Sequence, residues 1–312
     1  MRLVFVQNAS RILLCGLFLL LLAGCRDDFD KNPAPKSAPS PARKITIGFI
    51  PETSIFAEKK DYALLASYLS KKTGVAVELK ILSRYGNILD NFQSAGLDGA
   101  FLGSFVAALA INQLGVEPLV RGELEGGVST YYGIIFARKN LGIKTAQDMK
   151  GKILVFVDKA TTAGWLFPLY FLRTRGIMDT HSWFKKIYYS GSHENSLQDV
   201  LDGRADVGAV TDIAFYREAK KNPRIKKELE ILATSEKVPG NTLAVRHDLD
   251  PALKSAITST LLSMDQDAEE GKRVLAQFGA RRFIATLVQE YVPVIKYAKY
   301  IGLDLATYDH VN

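Results

Sequence analysis

Short apolar runs alternate with longer segments of helical periodicity along most of the chain. Such alternation predicts an α/β fold, because strands and amphipathic helices bury their apolar faces with different periods. Charged residues followed by glycine mark the end of the first predicted helix. The first predicted elements are, in order, a strand at 45–50 (ITIGFI), a helix over 62–69 ending at Lys71-Lys72-Thr73-Gly74, a strand at 75–82 (VAVELKIL), a helix ending at Gly96 and a strand at 99–103 (GAFLG).

The same order of elements occurs twice. A shift of 108 residues superposes 44–54 (KITIGFIPETS) on 152–162 (KILVFVDKATT), and the same shift superposes 84–104 on 192–212. Asp98 then coincides with Asp206. Because both copies have the order strand, turn, helix, strand, polar turn, helix and short strand, we predict two lobes with the same βαβαβ core.

The repeat predicts where a ligand would bind. In open α/β sheets, ligands bind beyond the carboxyl ends of the strands. In two facing lobes, the turns at those ends would line one cleft and supply hydroxyl, phenol, imidazole and carboxylate groups. These turns are Thr53-Ser54, Arg84-Tyr85 and Ser104 in the first copy, and Thr161-Thr162, Ser192-His193 and Asp212 in the second.

Two further apolar runs predict the connections between the lobes. Residues 131–138 (YYGIIFAR) and 241–248 (NTLAVRHD) each follow a glycine-containing turn and are predicted to be crossover strands. Residues 249–312 are expected to return to the first lobe as helices. The predicted first lobe is 44–135 plus 243–312, the predicted second lobe is 136–242, and ligand is expected to close them by rotation about the crossings.

The N-terminus has the layout of an export signal. Arg2 and Arg11 precede an almost wholly apolar stretch at 12–22, which is too short and wrongly flanked for a membrane span. The tetrad Leu22-Ala23-Gly24-Cys25 resembles a bacterial lipobox. This resemblance implies a lipoprotein signal peptide at 1–24, cleavage before Cys25, lipid attachment to its sulfur and a location on the periplasmic or exterior side of a membrane.

The segment after Cys25 is expected to be a tether. Residues 26–43 mix Pro, Ala, Ser and charged residues without an apolar period, so 25–43 predicts a flexible link between lipid and folded protein. The other cysteine, Cys15, leaves with the signal peptide. The mature chain therefore has no disulfide.

The net charge of the chain excludes few classes of binding partner. The formal net charge is +7, and removal of Arg2 and Arg11 with the signal lowers it to +5. The basic residues are dispersed and form no stripe with interleaved aromatics, which argues against nucleic acid as a partner.

Residues 155–168 (VFVDKATTAGWLFP) place two adjacent hydroxyls where a strand passes into a helix. One explanation is an ordinary helix cap at Thr161 and Thr162. The other is an anion site, because the first N–H groups of a helix and the helix dipole favour bound phosphate or sulfate. The local sequence leaves both open, and Trp165 is expected to pack in the interior.

Seven segments together resemble the phosphate/phosphite/phosphonate-type solute-binding proteins of ABC transporters. The resemblance implies a two-lobed periplasmic-binding-protein type II fold that closes over a tetrahedral oxyanion, delivery to an ABC transporter permease and ATPase, and no cofactor, metal or catalysis. We expect a monomer. The segments are the lipobox, ITIGFIP, SRYGNIL, ATTAGWLFP, SGSHENSL, GRADVGAV and VPGNTLAV.

The family's ligand contacts transfer position by position. The paired threonines match hydroxyl and backbone N–H donors, His193 matches a histidine donor, and Asp212 falls near an acidic acceptor, with Thr211 as the alternative one residue away. The predicted ligand-binding set is Tyr85, Ser104, Tyr131, Thr161, Thr162, Ala163, His193, Asp212 and Asn241.

Three departures from the family pattern concern the ligand. Ala160-Thr161-Thr162-Ala163 stands where many members of the family have an Asn-Ser-Thr-Ser turn, and it has fewer donors. Leu102 stands where some phosphonate binders have a tyrosine, and Asn241 where they have an aspartate. These changes imply a pocket that is smaller, less polar or adapted to another small anion.

The sequence gives less support to other functions. A hydrolase or metal site is one alternative, built from His193 and Glu194 with Asp206 or Asp212. However, the four histidines do not have metal-ligand spacing, and the sequence contains no serine elbow and no HExxH motif. A cytoplasmic pyrimidine synthase of the same fold would need no lipobox. A lipoprotein that senses its ligand for a membrane signalling protein remains open.

Asn241 generates a prediction about selectivity. An amide carries no charge and cannot neutralise a ligand ammonium, whose desolvation without a charged partner costs several kcal/mol. We expect 2-aminoethylphosphonate to bind roughly 100-fold more weakly than phosphate, phosphite or methylphosphonate in calorimetric titrations. Aminoethylphosphonate as the tightest ligand of the series would contradict the role given to Asn241.

Overall fold

The computed structural model describes residues 44–49, 55–82 and 88–309. Within them, strands form a six-stranded sheet, a five-stranded sheet and a two-stranded ribbon. In chain order the strands are β1 Lys44–Phe49, β2 Ala76–Ile81, β3 Gly99–Leu102, β4 Glu117–Leu124, β5 Thr130–Tyr131, β6 Gly133–Arg138, β7 Ile153–Phe156, β8 Lys186–Tyr189, β9 Val207–Thr211, β10 Leu229–Thr234, β11 Val238–Pro239, β12 Thr242–Val245 and β13 Ala280–Ala285.

Helices cover both larger sheets. The helix that contains the predicted 62–69 pattern ends where the sequence predicted: Gly74 adopts φ 71° and its N–H donates to the Ser70 carbonyl at 3.0 Å. The helices are α1 Ile55–Thr73, α2 Ile88–Ser94, α3 Ser104–Leu114, α4 Phe167–Arg173, α5 Thr180–Trp183, α6 His193–Leu201, α7 Asp212–Lys221, α8 Arg224–Glu228, α9 Pro251–Leu262, α10 Glu270–Gln277 and α11 Val292–Tyr300.

The two larger sheets have the same internal order. The first runs β13-β4-β12-β3-β1-β2 and the second β10-β6-β9-β7-β8. In each, three parallel strands are followed by an antiparallel one, β12 beside β3 and β6 beside β9. The duplicated βαβαβ core predicted from the repeat is therefore present. We call the first sheet with its helices the first lobe, and the second sheet with its helices the second lobe.

The two aspartates related by the repeat, Asp98 and Asp206, make equivalent contacts in the two lobes. The Asp98 carboxylate accepts from the Thr46 N–H at 2.8 Å, and Asp206 accepts from the Ile153 N–H at 2.9 Å. Each also faces an arginine that follows or ends the antiparallel strand, at 3.6 Å for Arg246 and 3.0 Å for Arg138. These carboxylates tie the start of the first strand of each lobe to the turn before the third.

The crossings between the lobes differ from the predicted ones. Val238 pairs with Tyr131 and Pro239 with Thr130, so the ribbon β5–β11 connects the lobes. The run 131–138 mostly forms β6 of the second sheet, and 241–248 contains β12 of the first. Both runs are apolar because they are buried central strands. As a result, 133–135 lie in the second sheet, although the predicted division gave them to the first lobe.

The C-terminal part is not wholly helical, which corrects the expectation for 249–312. Strand β13 adds an edge to the first sheet, with Phe283 as its buried side chain and Arg282 paired with Glu123 at 2.8 Å. Beyond α11, the Tyr308 ring stacks on Trp165 of the second lobe and lies 5.6 Å from Phe105 of the first.

The interior follows this organisation. One apolar cluster lies between the first sheet and α1, α9 and α10, and a second lies between the second sheet and α6, α7 and α8. A third, with Phe105, Phe167 and Tyr297, extends across both lobes and includes Trp165, as predicted. Across the described ranges, no helix combines the length and the apolar character that crossing a bilayer requires.

Candidate functional site

A cavity of about 530 Å³ lies where the two lobes face each other. Its walls come from the carboxyl ends of β3, β7 and β9, from the ribbon, and from the segment around α10 and β13. Of the predicted ligand-binding residues, seven line it: Ser104, Tyr131, Thr161, Thr162, Ala163, His193 and Asn241. Tyr85 and the lipidation candidate Cys25 lie outside the described residues.

The threonine turn is held rigidly by the aspartate before it. The buried Asp158 accepts from the Ala160 N–H at 2.8 Å through its carboxylate, and its carbonyl accepts from the Thr161 N–H at 3.0 Å and hydroxyl at 2.6 Å. A hydroxyl has one proton to donate. The Thr161 hydroxyl is thus committed to the turn, whereas Thr162 Oγ1 is buried and has no hydrogen-bond partner among the described residues.

The helix that follows the threonine turn begins with a π-helical segment, which packs against the end of β7. Residues Thr162–Leu166 are π-helical and lead into α4, with Thr161 as the N-cap. A Cβ on Gly164 would lie 2.5 Å from Val157 Cβ, so only glycine allows this approach. The first N–H groups of a helix have no intrahelical acceptor. The first residues of this helix start, Thr162 and Ala163, line the cavity.

Three other helices begin at the cavity. Gly103 is the N-cap of α3, Ser192 that of α6 and Thr211 that of α7. The Ser192 and Thr211 hydroxyls accept from N–H groups of their own first turns, at 3.1 and 3.2 Å. Each helix start carries the positive end of its dipole. These helix starts therefore bring partial positive charge to the cavity in addition to the paired Arg217.

His193 is the second residue of the cavity wall with an unsatisfied buried polar atom. Its Nδ1 is buried and lacks a partner within the described part of the chain. Burial, with a smaller contribution from the nearby Arg217 guanidinium, lowers the pKa of His193 to about 4. The imidazole is neutral at pH 7 and offers one N–H donor.

Charged side chains in the described wall occur as a pair. Arg217 of α7 forms an ion pair with Glu194 of α6, and its Nε donates to Glu218 at 3.1 Å. Neither residue belongs to the predicted ligand-binding set, and the sequence pointed to Glu194 only as part of a possible hydrolase or metal site. Glu194 was visible beside His193, but nothing in the local pattern distinguished Arg217 from the other basic residues of its helix.

Asp212 does not line the cavity, and its neighbour Thr211 does. The Asp212 carboxylate points back to the ribbon side of β6, where it accepts from the Tyr132 N–H at 3.0 Å. Burial raises its pKa, although that N–H opposes the shift. Of the two alternatives left open by the sequence, Thr211 is the residue in the wall.

The remaining predicted residues lie in or next to the ribbon. The Ser104 hydroxyl donates to the Pro239 carbonyl at 2.5 Å, joining the start of α3 to β11. Tyr131 lies in β5, and Asn241 follows β11 with its Oδ1 near Gly103. In the described ranges, no three His, Cys, Asp or Glu residues are grouped as metal ligands.

Comparison with known proteins identifies the class of binding protein. Residues 47–291 match the family model described as "ABC transporter, phosphonate, periplasmic substrate-binding protein". The chain belongs to this family of phosphonate-type periplasmic substrate-binding proteins of ABC transporters. Membership confirms the family resemblance, the substrate-binding function and the extracytoplasmic location predicted from the sequence.

Individual relatives are distant but extensive in coverage. A probable ABC transporter phosphite-binding protein, PhnD1 of Prochlorococcus marinus, is 24% identical over 79% of this chain and 86% of its own. The phosphate-import protein PhnD of Mycolicibacterium smegmatis is 26% identical over 85% and 84%. The structure of PhnD1 in complex with methylphosphonate has a TM-score of 0.71 at 22% identity and covers 83% of this chain and 98% of that one. This last likeness establishes the two-lobed fold.

The neutral His193 makes ligand-free stability depend on pH. The unfolded histidine takes up its proton near pH 6.5 and the folded one near pH 4, so the unfolded state binds more protons between these values. Lowering the pH from 6.5 to 4 should therefore reduce the unfolding free energy by on the order of 3 kcal/mol more in the wild type than in His193→Gln. Urea denaturation at both pH values measures this difference, and parallel pH profiles would contradict it.

Proposed function

We propose that the protein captures a small phosphorus oxyanion, namely phosphate, phosphite or a phosphonate, for an ABC importer. The observation that carries the proposal is the pair of buried, unsatisfied polar atoms, Thr162 Oγ1 and His193 Nδ1, in one cavity wall. Buried polar groups are nearly always hydrogen-bonded. Two that lack partners in the same cavity, among the described residues, fit a ligand that supplies the missing bonds.

The surroundings favour an anion over other ligands. Several charge-assisted hydrogen bonds must replace the hydration of a phosphoryl group, and helix starts offer N–H donors already oriented. Four such starts meet the cavity, while Arg217 is neutralised by Glu194. The names of the relatives, for phosphite, phosphate and methylphosphonate, support the same ligand class.

Binding is expected to leave the ligand chemically unchanged. Among the described lining residues, the titratable side chains are the neutral imidazole of His193, the phenols of Tyr62 and Tyr131 and the ion pair of Glu194 with Arg217, and none of them is an activated nucleophile. Phosphorus NMR of the released ligand tests this expectation. Signalling through a membrane partner stays the alternative use of the same binding event.

Substitutions of the two threonines should have different effects on ligand affinity and on the stability of the free protein. Thr162→Val removes the unpaired hydroxyl, so it should weaken methylphosphonate binding roughly 10-fold or more while leaving the melting temperature of the free protein unchanged or raised. Thr161→Val removes the bond to the Asp158 carbonyl and should lower that melting temperature, at a cost of about 1 kcal/mol. Calorimetric titration and scanning calorimetry measure the two effects.

Binding of several phosphorus oxyanions to the wild-type protein is the control for the comparison of the two threonine variants. Phosphate, phosphite and methylphosphonate should raise the melting temperature with concentration, as mass action requires. The proposed function fails if none of them does so at millimolar concentration. The role of Thr162 fails if Thr162→Val binds as tightly as the wild type.

We also infer that Cys25 carries the lipid anchor and that 26–43 tethers a monomeric binding domain near the permease. The lipobox resemblance and the apolar stretch before it support this inference. Cys25→Ser should move the protein from the membrane fraction to the soluble periplasmic fraction. Cys15→Ser is the matched control and should stay membrane-bound; equal fractionation of the two variants would contradict lipidation at Cys25.

A further inference from the structure

The first-lobe wall of the cavity is aromatic. Tyr62 stacks on Phe49, with ring centroids 3.7 Å apart, and its edge contacts Phe101 and Phe278 at 5.6 and 5.0 Å. Phe283 extends the cluster, with its centroid 6.2 Å from that of Phe278. Tyr62, Phe101, Phe278 and Phe283 line the cavity, and we call these four residues the aromatic wall.

The charged and the aromatic side chains of the cavity wall belong to different lobes, although the first lobe also contributes the polar Ser104 and Gln277. Thr162, His193 and the charged pair Glu194 and Arg217 belong to the second lobe, whereas the aromatic wall belongs to the first. Leu124 and the 42%-exposed Val128 continue the apolar side. Within the described lining, no charged side chain faces the ligand space from the first lobe.

The size of the cavity also exceeds what a bare oxyanion needs. Its volume of about 530 Å³ lies in the range of pockets that hold drug-sized organic molecules. A tetrahedral anion has five heavy atoms, and one water molecule takes about 30 Å³ of liquid. In the ligand-free cavity, a phosphate at the second-lobe donors would leave most of the space beside the aromatic wall to water.

Resting on the proposed function, we propose that the preferred ligand is a phosphoryl dianion with an uncharged apolar substituent of several carbons. The phosphoryl oxygens take the donors of the second lobe, and the substituent packs against the aromatic wall. Removing apolar surface from water strengthens binding about fourfold per buried methylene. An aromatic substituent gains further from offset or edge-to-face contact with Tyr62 and Phe278.

A series of ligands that differ only in the substituent tests this proposal. Phosphate, methylphosphonate, propylphosphonate and phenylphosphonate are titrated calorimetrically into the full chain in detergent. We expect affinity to rise along the series, with propylphosphonate roughly 10-fold tighter than methylphosphonate. Binding of phosphate or methylphosphonate as tightly as the larger ligands overturns the inference and leaves the proposed function intact. Binding of none of the four overturns both.

A variant of the wall tests the location of the substituent. Phe278→Ala should lower the ratio of propylphosphonate to methylphosphonate affinity several-fold, and Phe278→Leu should restore part of it. The ratio within one variant does not depend on the fraction of folded protein. Tyr300→Ala removes an aromatic side chain that is 54% exposed and outside the cavity wall, and should keep the wild-type ratio. An unchanged ratio in Phe278→Ala overturns the assignment of the wall.

Discussion

The close contact between Gly164 and Val157 is the constraint on which the candidate site depends. The Val157 N–H donates to the Gly164 carbonyl at 3.1 Å, and no side chain fits between the helix and the end of β7. This contact sets the position of the helix start, and the bonds to Asp158 set the turn before it. Thr162 and Ala163 face the cavity because both ends of this short segment are fixed.

An anion site formed by helix N-termini differs from one formed by arginines in the charge that it carries when it is empty. N–H groups and dipoles attract an anion but leave no buried cation when the site is empty. The ion pair of Arg217 with Glu194 keeps the described wall close to neutral in formal charge, and His193 is neutral because burial lowers its pKa. Empty and occupied states can therefore both be stable, which a carrier that loads and unloads requires.

The features that could be predicted from the sequence are those that depend on neighbouring residues or on the repeat, and the features that could not are those that depend on contacts between separate segments. The threonine turn was predictable because it depends on a strand and the turn next to it, and the Asp98–Asp206 correspondence was predictable because the sequence repeat places both residues at the same point of their copies. Strand β13 and the cavity position of Arg217 depend on contacts with distant segments, such as Glu123 for Arg282 and Glu194 for Arg217. The choice between Thr211 and Asp212 was also out of reach, because one residue at a helix start decides whether a side chain faces the cavity or the ribbon.

The order of strands in the first sheet has a consequence for how the chain acquires its structure. The second sheet draws all five strands from 133–234, one continuous segment. In the first sheet, β12 lies between β3 and β4, so this sheet has a gap at its centre until residue 245 is available. During synthesis or export from the N-terminus, the second lobe thus has its complete set of strands first, even though the first lobe begins earlier in the chain.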